Sequence, residues 1–333
     1  LAYNIKEIAS RVGVSKSTVS RVITGKGYTS PEVRERVLSV VEELKYKPSA
    51  VARAMVSQRT NNIGVIIYRD QQPIVSHPIY GKIVDSILVA AQARGYSVYL
   101  TTDQGMSLSS TDFMMEKRVE GLILISRLRQ NVIEYVKKFN IPYLMVNGST
   151  DDPEVMHFVS MDEEGGSHAA SYLYQLGHRN LFVIAGPQEH RSHNLRLKGF
   201  QDSMERTDEN IEMSVFYSSE SSFEQGYRLL EENWDFFVGR GFTALFATND
   251  MMALGAMKLL QQRSVPIPGQ VAVMGFDDIE YAAMYSPSLT TIKVDNSKIG
   301  HDAVVMLDRL IKQETILTKL NEYSSELVIR EST

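Results

Sequence analysis

The sequence predicts an α/β chain: a small helix-turn-helix head with one further short helix, then two doubly wound α/β subdomains. Three observations predict it. Residues 4–23, NIKEIASRVGVSKSTVSRVI, carry two short helical stretches with apolar faces, broken at Gly13. From Ile63 onward, strands alternate with amphipathic helices, and the alternation restarts near residue 157. The charge is also split. Residues 1–60 hold eleven Lys and Arg against five Glu, a net of +6, so that residues 61–333 sum to −11 in a chain of −5.

In the head, Ile5, Ile8, Ala9, Val12, Val14, Val19, Val22 and Ile23 supply the apolar faces. Ser15 stands where an N-cap would start the second helix, its hydroxyl accepting an orphan backbone N–H. Lys16, Ser17, Ser20 and Arg21 are left on or near the exposed side. A helix tipped with hydroxyls and cations can enter a major groove, touch phosphates and read base edges. The plain alternative is a helical hairpin with a solvated face. A third helix is expected from Pro31 to about Lys45, with Ser30 as N-cap, Pro31 at the first position, and Val33, Val37, Val40, Val41 and Leu44 facing inward. Pro48 ends it, and Ser49–Ser57 has the length of one short helix, marginal in water unless a partner helix or DNA holds it. Gln58–Asn62 reads as a linker.

In the body, 63–68, 97–102, 121–126 and 142–147 read as buried strands, with helices near 79–94, 109–118 and 131–139. The second set is 157–161, 181–186, 212–217, 243–248 and 271–276, followed by a helix near 296–311 and one closing strand. These are too many strands for one compact sheet, so two parallel sheets are expected. Ligands bind such folds at the carboxyl ends of the strands, and the cleft between the two subdomains is the default small-molecule site.

Composition excludes several classes. The content is 43% hydrophobic and 23% charged, ordinary for a globular chain, and no apolar run approaches the ~20 residues of a membrane span. With no cysteine, disulfides, thiol catalysis and cysteine-held metals are absent. The N-terminus shows no export signal, so a cytoplasmic location is expected. There is no GxSxG elbow, P-loop or HExxH motif. His77, His157, His168, His178, His190, His193 and His301 are scattered; His190 and His193, flanking the loop before Arg196, are the two an enzyme would use.

Taken together, the chain resembles the lactose-repressor (LacI) family of bacterial transcription regulators along nearly its whole length. The matching strings are IKEIASRVGVSKSTVSRVI, RERVLSVVEELKYKPSAVARAM and TNNIGVII. In the body they are YQLGHRNLFVIAGP, RLKGF, FATNDMMALGAMKLL, VAVMGFDDIE, PSLTTIKVD and LVIREST. The resemblance implies a DNA-binding domain over 1–47 and a hinge helix with linker over 48–62. It implies an effector-binding and dimerisation core of periplasmic-binding-protein type over 63–333. The first subdomain would take about 63–160 and 291–320, the second about 161–290 and 321–333. The partners implied are a second copy of the chain, a palindromic double-stranded DNA operator and a small effector; no cofactor, catalytic group, metal or membrane is implied.

Residue by residue, Lys16, Ser17 and Arg21 fall at positions that read bases, and Arg21 has the fork that fits guanine O6 and N7. Ser15, Thr18 and Ser20 would bond phosphates, and Tyr28 and Arg53 complete the DNA-facing set. Met55 would wedge between base steps in the minor groove, where many relatives have leucine. Thr24 stands where asparagine is frequent, which puts one contact in doubt.

In the body, Arg196, Asn249 and Asp277 match the effector-holding positions, and their donors and acceptors suit a neutral polyol. Tyr80, Phe223, Phe276 and Tyr281 are candidates to offer flat faces to a sugar ring, with Ser126 and Asp162 at strand ends. Asn249 is equally a helix cap; Asp278 and Glu280 next to Asp277 resemble a metal cluster, but an acidic loop is more often solvated or a helix cap. The stretch 121–148 is similar to members that sense maltose-type and other α-glucosides. Arg191 and Lys198 keep a sugar phosphate open. A purine, a corepressor or a phosphoprotein signal are further alternatives, as is a solute-binding protein with the same two-lobed body.

Overall fold

The computed structural model describes residues 4–25, 27–46, 59–68, 77–103, 108–126, 130–148, 154–207, 210–316 and 318–333. The short helix expected at 49–57, with Arg53 and Met55, lies outside them. The chain forms two compact units, Leu1–Asn61 and Asn62–Thr333.

The first unit holds three helices, α1 (Ile5–Val12), α2 (Lys16–Thr24) and α3 (Pro31–Glu43). Each begins at a residue whose side chain accepts backbone N–H groups: Asn4, Ser15 and Ser30. Asn4 and Glu7 cap reciprocally. Gly13 and Gly25 end α1 and α2 in left-handed backbone (φ 74° and 67°), which glycine adopts without strain. Ile8, Ala9, Val12, Val19, Val22, Val37 and Leu44 form the core of this unit. Arg36 donates to the Val12 carbonyl and Arg11 pairs with Glu43 at 3.0 Å.

The second unit is built on two parallel sheets. The larger has the order β11-β5-β4-β3-β1-β2, from β1 (Asn62–Tyr68), β2 (Ser97–Asp103), β3 (Leu122–Ile125), β4 (Tyr143–Val146), β5 (Met156–Ser160) and β11 (Leu320–Tyr323). The smaller has the order β7-β6-β8-β9, from β6 (Asn180–Ala185), β7 (Glu212–Tyr217), β8 (Ala244–Ala247) and β9 (Ala272–Met274). Strands in the middle of these sheets are apolar without alternation because helices cover both faces.

Helices α4 (Pro78–Ala93), α5 (Ser109–Glu116), α6 (Gln130–Lys137) and α13 (Asn296–Ile311) belong with the larger sheet. Helices α7 (Asp162–Gln175), α8 (Arg191–Glu205), α9 (Phe223–Glu232), α10 (Trp234–Arg240), α11 (Asp250–Gln262) and α12 (Glu280–Met284) belong with the smaller.

The chain passes between the lobes three times: from β5 into α7, from β10 (Thr291–Val294) into α13, and from β11 into β12 (Ser325–Val328). Strands β10 and β12 pair antiparallel in a ribbon of their own, bridged to the smaller sheet at Met274–Thr290.

Three expectations change. Thr291–Val294, expected in the first lobe, lies beside the smaller sheet through bridges at Met274–Thr290 and Asp277–Lys293, so that crossing follows Val294. The closing strand is two strands, because the chain crosses lobes at Ser324. Leu320–Tyr323 pairs in parallel with His157–Ser160, so the expected boundary at 320/321 cuts through a strand of the first lobe; the crossing follows Tyr323. An edge strand with alternating exposure carries too weak an apolar signal to show this in advance. Among the described residues no helix is long and apolar enough to cross a membrane.

Candidate functional site

In the first unit, Ser15 begins α2 and gathers three hydroxyls. Its Oγ accepts from the Thr18 N–H at 3.1 Å and lies 2.7 Å from Ser17 Oγ and 2.9 Å from Thr18 Oγ1. Lys16, Ser17 and Arg21 are exposed, Thr18 and Ser20 are half-buried, and Tyr28 stands 88% exposed after the helix. Val19 and Val22 bury the opposite face, which turns the hydroxyls and cations outward. This is the surface a major groove can take.

In the second unit a cavity of about 190 Å³ opens between the lobes at the carboxyl ends of the strands. Six of the expected effector residues line it: Tyr80, Ser126, Asp162, Arg196, Asn249 and Asp277. Tyr80 comes from α4, and its hydroxyl reaches Ser126 Oγ at 3.4 Å. Ser126 ends β3 in left-handed backbone, φ 78°. Asp162 opens α7 at the first crossing.

Arg196, from α8, is the centre of the site and is buried. Its Nε donates to Asp162 Oδ1 at 2.8 Å, and its NH1 donates to Asp277 Oδ1 at 2.9 Å and to the Thr248 carbonyl at 2.9 Å. The guanidinium carbon lies 3.9 Å from the centre of the Phe276 ring. Burial opposes the Arg196 charge, but Asp277 and Asp162 more than restore it and hold its pKa above the ordinary value. Burial raises Asp277 to about 7, against the pull of Arg196 and with the push of Asp162. Asp277 also sits at φ 116°, a strained backbone held by the N–H bond to the Ile292 carbonyl.

Asn249 lines the cavity and caps a helix. Its Oδ1 caps α11 by accepting from Met252 N–H at 2.9 Å, and its Nδ2 donates to the Ser221 carbonyl at 3.1 Å. Asp250 beside it is wholly buried and structural: it accepts from Ile279 N–H at 2.9 Å and from the Thr291 hydroxyl at 2.6 Å. Burial and then Asp277 push its pKa well up.

Three of the four expected aromatic faces do not line the cavity. Phe276 lies fully buried beneath Arg196, so its face supports the guanidinium and not a ligand. Phe223 packs on the core of the second lobe, where its carbonyl faces Gly255 across the α9–α11 contact. Tyr281 is 53% exposed on α12, away from the cavity. Lys198 turns outward to Glu163 (2.6 Å) and Asp202 (2.7 Å), while Arg191 does reach the cavity.

The sequence reading missed Ser160, Asn147, Ser221 and Asn296, which also line the site. Asn296 and Ser160 flank crossings between lobes, a place that only a traced topology reveals. His193 lines it too, and both ring nitrogens have partners: Nδ1 is 2.8 Å from Thr248 Oγ1 and Nε2 is 2.7 Å from Ser221 Oγ. Burial lowers the His193 pKa well below its usual value, the charges of Arg196 and His190 lower it further, and the Thr248 main chain opposes them. Among the described residues no cluster of His, Asp or Glu is placed to hold a metal ion.

Comparison with known proteins decides the family. Residues 4–49 match the family described as bacterial regulatory proteins, lacI family, and residues 170–333 match a periplasmic binding protein-like domain. The chain is 30% identical over 331 residues to the HTH-type transcriptional repressor PurR of Vibrio parahaemolyticus serotype O3:K6, covering 98% of this chain and 97% of that one. The chain belongs to the LacI family.

Its fold matches the crystal structure of the Lac repressor dimer bound to operator and the anti-inducer ONPF, with a TM-score of 0.88, 27% identity, and coverage of 100% of this chain and 99% of that one. It also matches the transcriptional regulator CelR in complex with cellobiose, with a TM-score of 0.73, 28% identity, and coverage of 99% and 100%. As a LacI-family member the chain is a transcriptional repressor with an N-terminal DNA-binding domain and a ligand-binding body.

Proposed function

We propose that this repressor binds a palindromic operator as a dimer and is released by a small neutral sugar held between its lobes, a maltose-type or other glucoside being the favoured class. The observation that carries the sugar is Arg196. Its charge is matched by Asp162 and Asp277 and is not left over for a phosphate; Arg191 is a further cation at the lining but is exposed, and the buried wall offers hydroxyl, amide and carboxylate groups. Vicinal hydroxyls both donate and accept, and satisfy such a wall without net charge. The cellobiose in the CelR complex supports the same class. A purine is the second reading, favoured by the relatives named PurR.

In this mechanism Lys16, Ser17 and Arg21 read bases, and Ser15, Thr18, Ser20, Tyr28 and Arg53 complete the contact with DNA. Two half-sites about 10 bp apart would face the paired heads. Effector bound between Tyr80 and Ser126 on one lobe and Arg196, Asn249 and Asp277 on the other changes the lobe arrangement and unpairs the hinge segments at 48–62. By linkage, operator DNA weakens effector binding by the same factor.

Thermal unfolding against glucosides, sugar phosphates and purine bases tests the reading. The effector should raise stability by about 2.7 kcal/mol at one hundred times its Kd and lower operator affinity. A shift with purines and none with sugars would overturn the sugar reading. Replacing Met55 by alanine should weaken operator binding by at least about tenfold, since the apolar wedge is lost. Effector affinity of the free protein should stay unchanged. Equal operator affinity in variant and parent would remove Met55 from the interface.

A further inference from the structure

A chain of four hydrogen-bonding groups runs through the floor of the cleft, and its direction is fixed by what each atom can do. It begins at Gly186, just after β6. The Gly186 N–H donates to Thr248 Oγ1 at 2.9 Å. Thr248 is wholly buried, and its Oγ1 is also 2.8 Å from His193 Nδ1. If Nδ1 carried the proton, Thr248 Oγ1 would accept twice and its own hydrogen would be buried with no acceptor, a costly state. Every group is satisfied when Thr248 donates to Nδ1. The imidazole is then the Nε2–H form, and Nε2 donates to Ser221 Oγ at 2.7 Å. Ser221 is left with its own hydrogen, and no further protein acceptor for it is present among the described residues. Its backbone is fixed from the other side by Asn249 Nδ2 on the Ser221 carbonyl at 3.1 Å.

We propose that Gly186, Thr248 and His193 form a one-way relay that commits the Ser221 hydroxyl to donate into the cleft. The effector must then place an acceptor oxygen or nitrogen against this wall. His193 is a positioning residue: it acts through Ser221. A ligand without an acceptor at this point would leave the Ser221 hydrogen unsatisfied, so the relay discriminates between ligands that differ by one polar group. The relay also requires a neutral imidazole. Burial and the neighbouring Arg196 and His190 charges favour that form, while a hydrogen bond to the Thr248 main chain opposes them.

The proposal rests on the cleft being the effector site, but its first test does not. The full chain, labelled with nitrogen-15 in histidine, is examined by nitrogen–proton correlation NMR at pH 7, with His193 assigned by its loss in His193→Gln. A neutral Nε2–H tautomer that titrates, if at all, well below the ordinary histidine range is expected. An Nδ1–H tautomer, or an imidazolium at pH 7, would overturn the relay. Thr248→Val should release the tautomer to a mixture; an unchanged spectrum would also overturn it. Ser221→Ala should then weaken binding of cellobiose or maltose, whichever the parent binds, by roughly three- to tenfold. It should weaken a deoxy analogue lacking the contacting oxygen by much less. Equal losses for both sugars would overturn the specificity role. The expected tautomer in a chain that binds no sugar would reject the sugar reading and keep the relay; the wrong tautomer in a chain that does bind sugar would do the reverse.

Discussion

Arg196→Ala is expected to abolish the effector response while leaving operator affinity within about twofold of the parent, because distant sites act almost independently. The DNA-facing residues belong to a unit with its own core, from Ile8 to Leu44, to which Arg196 does not contribute. In the second unit the loss is severe. Arg196 spans Asp162, Asp277 and the Thr248 carbonyl and lies on Phe276. Removing it strands two buried carboxylates, and breaking a buried pair in this way costs about 3–5 kcal/mol.

The loss should depend on pH. Asp277 titrates near 7 in the folded chain, above its unfolded value, so the native state holds the extra proton between about pH 4 and 7 and this group's contribution to stability falls as pH rises through that window. At pH 5 the loss at Asp277 is only a hydrogen bond to a neutral carboxyl; at pH 8 the variant must leave that carboxylate buried and unpaired or take up a proton. Unfolding temperatures of variant and parent should therefore lie closer together at pH 5 than at pH 8. Arg196→Lys should not rescue, since an ammonium cannot bridge three acceptors in one plane. A normal effector response in Arg196→Ala would remove this residue from the site, and a pH-independent gap would refute the charge argument.

The sheets are legible in the sequence because parallel strands covered on both faces are written as unbroken apolar runs, such as LILI at 122–125 and ALFA at 244–247. The helix caps at Ser15, Ser30 and Asn249 are legible for a local reason: each satisfies an N–H group three residues on. Arg196, Asn249 and Asp277 are legible through family strings. What is not legible is long-range. Asn296 and Ser160 meet the cavity only because the chain crosses between lobes beside them. Phe276 and Phe223 look like ligand faces in the sequence, since nothing local says that a guanidinium covers one and a helix contact takes up the other. The glycines that let the helices approach are equally silent: a sequence records where side chains are missing but not what occupies their place.

Those glycines give the second large effect. Gly166 on α7 faces α8 so closely that a Cβ there would lie 2.0 Å from the Arg196 carbonyl oxygen, and at Gly199 it would lie 1.9 Å from the Glu163 carbonyl oxygen. Neither position needs left-handed backbone, so space alone decides. The obstacle is backbone and cannot turn aside as a side-chain tip could. Gly166→Ala should therefore push α7 and α8 apart and destabilise the chain by about 3 kcal/mol, the upper part of the range for overpacking, outweighing the ~1 kcal/mol that alanine contributes in a helix. Because α7 carries Asp162 and α8 carries Arg196, the same shift opens their 2.8 Å contact, and effector affinity should fall along with the unfolding temperature. Gly239 on α10 is the control: a Cβ there meets nothing within 4 Å, and Gly239→Ala should stabilise by up to about 1 kcal/mol. The two substitutions are chemically identical, so opposite signs in thermal unfolding would isolate the helix contact as the cause. A shift in the same direction for both would show that the close approach of α7 and α8 does not constrain the site.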